Sequence, residues 1–252
     1  RYNLRLLAVT LDNGFISERA LSNMRVTTDA LGIDHIIFKP RMSLLKGIFL
    51  KAADEDIFSR KALERASTVC TSCIGIVKAL ALKTAIEKGI MTIGFGWSPG
   101  QNTLKSSVMR TTPALMKTAQ MMLVEPLARI AGDDVRKYFL NDEHFSRPES
   151  FPYYVYPFSF LDYDERAIVR EIGEIGWAAP DDTDSNSTNC LLNAYANEAH
   201  IRRLRFHPYV WEIANMVRDG SMTREEGFEK IYGERPKALV EAALKKLRAI
   251  PS

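Results

Sequence analysis

Cysteine is scarce in this sequence: its 252 residues include three, too few, and odd in number, for a disulfide framework. That scarcity points to a reducing compartment, and the cytoplasm is the expected location. No uninterrupted apolar run reaches the roughly 18 residues that mark a membrane-crossing helix, and no segment has the order of a secretory signal. No membrane partner is expected. Strong net charge is missing too, since 34 Lys and Arg against 31 Asp and Glu leave +3. RNA or nucleotide partners are compatible with that mild basic bias, but the bias is no argument for them. Internal repeats and low-complexity tracts are absent. The remaining composition, 46% hydrophobic and 26% charged, is that of an ordinary globular chain, and the length suits one large domain or one with a helical appendage.

Periodicity divides the chain into two textures. "LRLLAVTL" (4–11) is a continuous apolar run closed by "DNG", as in a buried parallel strand. "SERALSNMRVTTDALG" (17–32) has helical spacing, with Ser17 as N-cap and Gly32 as terminator. "DHIIFKP" (34–40) is a second strand stopped by Pro40. Together they make a βαβ unit. Residues 43–66 read as one or two helices, 76–89 as a strong helix, and "IMTIGFG" (90–96) as the next strand, followed by the turn-rich "WSPGQN". Residues 106–123 are expected to be helical with Pro113 as a break or new first turn, a further helix to start near Asp133, and "YYVYPFSF" (153–160) to be extended. From Asp162 onward the pattern is amphipathic helices around a polar loop at 178–189, with a capping box at Thr223 and Glu226 and a last helix begun by Pro236. The expected fold is therefore α/β, a Rossmann-like parallel sheet flanked by helices over 1–160, with a mainly helical region over 161–252. The helical third could support a homodimer. In such sheets ligands sit at the carboxyl ends of strands, here "TLDNG", "FKP" and "GFGWSPG".

Chemistry concentrates in "ASTVCTSCIG", where Cys70 and Cys73 stand at CxxC spacing; the third cysteine, Cys190, lies in "NSTNCLLN". A redox disulfide of thioredoxin type would open a helix after the first strand. A structural zinc site needs four ligands, so histidine or aspartate would have to complete it. An iron–sulfur cluster can use three cysteines and leave one iron open. Three buried apolar thiols are the remaining reading. The histidines at 35, 144, 200 and 207 are scattered and read as packing or surface residues.

"LLAVTLDNGFISERALSNMRVTTDALGIDHIIFKP", continued by "CTSCIGIVKALALKTAIEKGIMTIGFGWSPGQ" and "VEPLARIAGDDVRKYF", resembles the PP-loop ATP pyrophosphatases, also called adenine nucleotide alpha hydrolase-like proteins. The similarity covers most of residues 4–140. The family's SGGxDS loop, which cradles ATP phosphates at a helix N-terminus, is not in this sequence. The resemblance places it one strand and one helix ahead of "LLAVT", so an upstream segment is expected before Arg1. "DDTDSNSTNCLLN" also resembles a "PTDTGRSTNCLIN" segment of one branch of that superfamily.

The resemblance implies ATP and Mg²⁺ as cofactors and two candidate reactions. One is sulfur transfer by enzymes holding a [4Fe-4S] cluster on a CxxC pair and a distant cysteine, here Cys70, Cys73 and Cys190, with Zn²⁺ as the alternative metal. The other is the amide transfer of N-acetyl sugar amidotransferases. In both, an acceptor carbonyl or carboxylate oxygen attacks the α-phosphate, and sulfide or ammonia then displaces AMP; a small molecule is the favoured acceptor and tRNA the other. The resemblance also implies adenine contacts at Val9, Thr10, Leu11 and Phe38, a ribose or Mg²⁺ contact at Asp12, and phosphates near Gly96, Trp97 and Ser98. Lys78, Lys83 and Arg110 are weaker phosphate candidates, and "HIRRLRFH" (200–207) reads better as a solvated helix face than as a tRNA contact. A non-catalytic nucleotide- or metal-binding module is the reading if SGGxDS is truly absent.

Overall fold

The computed structural model describes residues 4–101, 107–184, 186–187, 189–234 and 237–251. The stub Arg1–Asn3, the helix start expected at Ser106 and the Pro236 helix start lie outside them. The chain runs β1 (Leu7–Leu11), α1 (Glu18–Leu31), β2 (Asp34–Phe38), α2 (Met42–Asp54), α3 (Arg60–Leu63), α4 (Thr68–Lys88), β3 (Thr92–Gly94), β4 (Val108–Arg110), α5 (Pro113–Ala131), α6 (Asp142–Phe145) and β5 (Tyr153–Val155). The remainder is helical: α7 (Glu165–Glu174), α8 (Asn193–Leu204), α9 (Val210–Asp219), α10 (Arg224–Tyr232) and α11 (Lys237–Ala249).

The first βαβ unit forms as its sequence dictates. Ser17 caps α1 by accepting from the Ala20 N–H, and Gly32 ends it in the left-handed region at φ 61°, where a side chain would be strained. β1 and β2 then pair in parallel, Leu7 opposite Asp34 through Leu11 opposite Phe38.

The sheet differs from the expected one. Among the described residues the strands form two small sheets, β1–β2 and β3–β5–β4. β3 lies parallel to β5, whereas β4 runs antiparallel to it. The antiparallel strand replaces the start of the helix expected over 106–123. Thr112, which precedes Pro113, is extended at φ −137°, ψ 154°, because a residue before proline is disfavoured in the helical region. Pro113 is thus a first helical turn. α5 then continues through Pro126 to Ala131, and a short 3-10 stretch, Asp133–Tyr138, stands where a helix from Asp133 is expected.

α4 organises both sheets, packing against β1, β3, α2, α5 and α8. It is the one described helix long and apolar enough to cross a membrane, and half of its apolar window is buried inside the protein. Its apolar residues face all sides because it has neighbours on all sides. The main core joins Leu45, Ile48 and Phe49 of α2, Ile76 of α4 and Leu127 of α5 to Leu192, Ala196 of α8 and Leu247 of α11. The helical region beyond residue 161 therefore contributes α8 and α11 to the core of the α/β part. A second cluster sets Leu82 and Ile86 of α4 against Tyr154 and Tyr156.

Candidate functional site

The cysteines are brought together by two local devices. Ser67 caps α4, its Oγ accepting from the Cys70 N–H at 3.1 Å, so the helix starts before the CxxC rather than after it. Cys70 and Cys73, three apart, share one face of its first turns. Cys190 reaches them through a short antiparallel contact between "NGFIS" and "NCL". Ile16 bridges Cys190, the Leu191 N–H donates to the Phe15 carbonyl at 2.8 Å, and the Ser17 N–H donates to the Asn189 carbonyl at 3.0 Å.

Asn13, in the turn after β1, stands between the thiols. Its Nδ2 lies 3.4 Å from Cys73 Sγ and 3.8 Å from Cys190 Sγ. Its Oδ1 is fixed by the Phe15 N–H at 2.9 Å, and Asn13 is 7% exposed. On the other side Cys70 Sγ is 3.8 Å from Asn193 Oδ1. That oxygen also accepts from the Tyr209 hydroxyl at 2.8 Å, while Asn193 Nδ2 donates to buried Asp184 at 3.2 Å. Burial pushes the Cys70 thiol up to about 11 and Cys73 up to about 12, and raises Cys190 as well. The three are free thiols packed against the main core.

A single zinc ion needs sulfurs about 3.8 Å apart, from a Zn–S bond near 2.3 Å in a tetrahedron. Among the described residues no three His, Cys, Asp or Glu side chains are grouped for one ion. Two of the thiols flank the Asn13 amide, and the third lies beside Asn193. A cubane, which offers a separate iron at each corner, spans a wider cysteine triangle.

The strand-end candidates have varied surroundings. Val9, Thr10 and Leu11 pair with Ile36, Ile37 and Phe38 along one edge of β1. Thr10 Oγ1 is also 2.9 Å from His35 Nε2. Phe38 packs on the main core. Asp12 is engaged locally: Oδ1 accepts from the Gly14 N–H at 2.9 Å and Oδ2 lies 3.3 Å from Lys39 Nζ. Gly96 lines a cavity. The Trp97 ring lies 4.9 Å from that of Phe95 and 5.6 Å from that of Tyr156. Ser98 Oγ donates to Glu212 at 3.2 Å. Lys83 donates to the Lys137 carbonyl at 3.2 Å. Arg202 and Arg203 pair with Asp54 and Asp56.

Lys78 sits with its Nζ 4.1 Å from the Trp97 ring centroid, and burial lowers its amine to about 8. A folded value below the unfolded one means that the unfolded chain binds more protons between roughly pH 8 and 10.5, so this group's penalty on folding fades as pH rises through that window. Lys78→Met removes both the penalty and its pH dependence. The stability of the variant relative to wild type should fall between pH 8 and 10.5, by on the order of 1–3 kcal/mol, read by urea unfolding at each pH. A constant difference would show that Lys78 is solvated.

α9 closes the site from outside by packing on the "WSPGQ" loop at Gly100. A Cβ there would come within 2.4 Å of the Glu212 carbonyl oxygen and 2.8 Å of Met216 Cγ. Gly100→Ala should therefore displace α9 and cost about 1–3 kcal/mol, the usual scale of overpacking, in a chemical-denaturation measurement. Between this loop, α9 and the Cys190 loop lies a cavity of about 290 Å³ lined by Gly96, Ser98, Ser187, Tyr209, Glu212 and Lys230, among others.

Asn13, Asn193, Tyr209 and Glu212 are the site residues the sequence did not single out. Asn13 alone had a visible signal, its place in a strand-end turn. No family model and no curated protein matches this sequence.

Proposed function

We propose that the chain belongs to an adenylating transferase that moves sulfur to a carbonyl or carboxylate acceptor in a reducing cytoplasm, with Cys70, Cys73 and Cys190 holding an open-site [4Fe-4S] cluster. The observation that carries the reading is that Cys190 joins Cys73 of the CxxC pair at Asn13, in the turn after β1, with Cys70 one helical turn away beside Asn193. Zinc is the alternative metal. The cluster would supply an iron free to bind sulfide. The chain's own residues would provide three thiolates, an Asn13 N–H aimed at two of them and an apolar wall that limits solvent; hydrogen bonds and burial of this kind tune such centres.

Adenylation is the part of the proposal borrowed from the resemblance. Val9, Thr10, Leu11, Asp12 and Phe38 would hold the nucleoside, and Gly96, Trp97 and Ser98 would lie towards the phosphates, with Mg²⁺ stabilising their charge. A Rossmann-like sheet would follow if one more strand joined β1 to β3, both of which α4 supports. An SGGxDS segment encoded ahead of Arg1 is what this half of the reading requires. Its absence from the full gene would leave a nucleotide- or metal-binding module. Amide transfer uses the same adenylation and differs in taking ammonia.

Anaerobic purification tests the metal. A brown protein absorbing near 400 nm with about four irons per chain is expected for a [4Fe-4S] centre. A colourless protein holding stoichiometric zinc would overturn the cluster.

A further inference from the structure

The cavity beside the thiols has a charge pattern that names its occupant. Among the described residues, Glu212 reaches it from α9 and Glu165 from the start of α7, against one cation, Lys230. Glu212 is held by Ser98 Oγ at 3.2 Å. Burial raises its carboxyl, and Lys230 offsets that as the weakest of the influences on it. A half-desolvated carboxylate is relieved by a cation brought against it and made worse by an anion. A phosphate at Gly96–Ser98 would therefore have to approach from the opposite face of the loop. One residue layer separates the cavity from the cysteines. Tyr209 lines it and hydrogen-bonds the Asn193 oxygen that faces Cys70, and Ser187 lines it while accepting from the Cys190 N–H at 3.0 Å. Through Tyr163, Glu165, Met222 and Lys230 the cavity continues into a wider basin of about 730 Å³. The inner volume holds a small head group rather than a polymer.

We propose that this cavity is the acceptor site, and that it takes a small molecule bearing a primary amine or guanidinium, which Glu212 receives while the rest of the molecule extends into the outer basin. The proposal rests on the transferase reading and names the substrate class for it.

Isothermal titration of the whole chain with agmatine and lysinamide, against glutarate and pentanamide, tests it. The two cations should bind at least about tenfold more tightly than the other two. Glu212→Gln should lower cation affinity at least about tenfold, and Ser98→Ala should lower it less. Glu18→Gln, on the exposed face of α1, should leave it unchanged. Glutarate binding as well as agmatine, no cation binding in the millimolar range, or undiminished binding by both the Glu212 and the Ser98 variants would overturn the proposal. Iron and zinc assays on the same samples separate the two readings. Metal retained without amine binding sinks the cavity alone, whereas amine binding in protein that never holds metal sinks the cluster and keeps the cavity.

Discussion

Serine at Cys190 is expected to strip the protein of nearly all its iron, and serine at Cys70 or Cys73 to do the same. The expectation follows from where the thiols sit. Cys190 is 117 residues from Cys73 by their numbers, yet one amide nitrogen lies 3.4 Å from Cys73 Sγ and 3.8 Å from Cys190 Sγ. A hydroxyl is a poor ligand for iron at neutral pH, because it does not ionise as a thiol does, and a cluster left with two cysteines has lost an anchor. Cysteine and serine differ little in volume, so the fold should survive, and unchanged far-UV circular dichroism would establish that. Iron content and absorption near 400 nm are the readouts. Asn13→Ala leaves all three ligands in place and removes the N–H beside Cys73 and Cys190. It should retain the centre but weaken its hold about 10–100-fold, the usual effect of an outer-shell partner, as measured by competition with a chelator. Full iron retention in the Cys190 variant would reduce the site to a two-cysteine pair and remove the reason for an open-site cluster.

The local elements of the fold were legible because their signals are local. Ser17 and Gly32 bracket α1, Thr223 and Glu226 form the capping box of α10, and the apolar runs of β1 and β2 are strands. The sheet was not legible, since strand order depends on partners remote in sequence. "SVMR" carried no signal that it would pair antiparallel with "YYV" in place of extending a helix. The cysteines could be singled out by rarity and spacing, but their meeting depends on the Ile16–Cys190 bridge, which no periodicity encodes. Asn13 and Glu212 are ordinary polar residues by type. Only burial and company distinguish them: Asn13 has two sulfurs beside it, and Glu212 has a cavity in front of it. The change of texture near residue 161 is real in composition, yet the packing crosses it.

That crossing predicts how the protein unfolds. Leu247, in the last helix, is fully buried in a core otherwise built largely from α2, α4 and α5. α11 packs on both α8 and α2, and Lys46 of α2 donates to the Ile250 carbonyl at 2.5 Å. Leu247→Ala removes three methyl-equivalents of buried carbon from a site whose walls belong to different parts of the chain. The cavity it leaves can collapse little, and the loss should be about 2–5 kcal/mol. The telling measurement is cooperativity. If α11 belongs to the same unit as the α/β part, urea unfolding followed by tryptophan fluorescence and by far-UV circular dichroism should give one coincident transition in wild type and in the variant alike. The midpoint should shift and the slope stay fixed, because the surface exposed on unfolding is unchanged. A separate helical appendage would instead give two transitions, with the variant moving only the one that reports the C-terminal helices. The single transition is the expected result, since Leu247 shares one buried cluster with Phe49 and Ile48 of α2, and α11 packs on α2 as well as on α8.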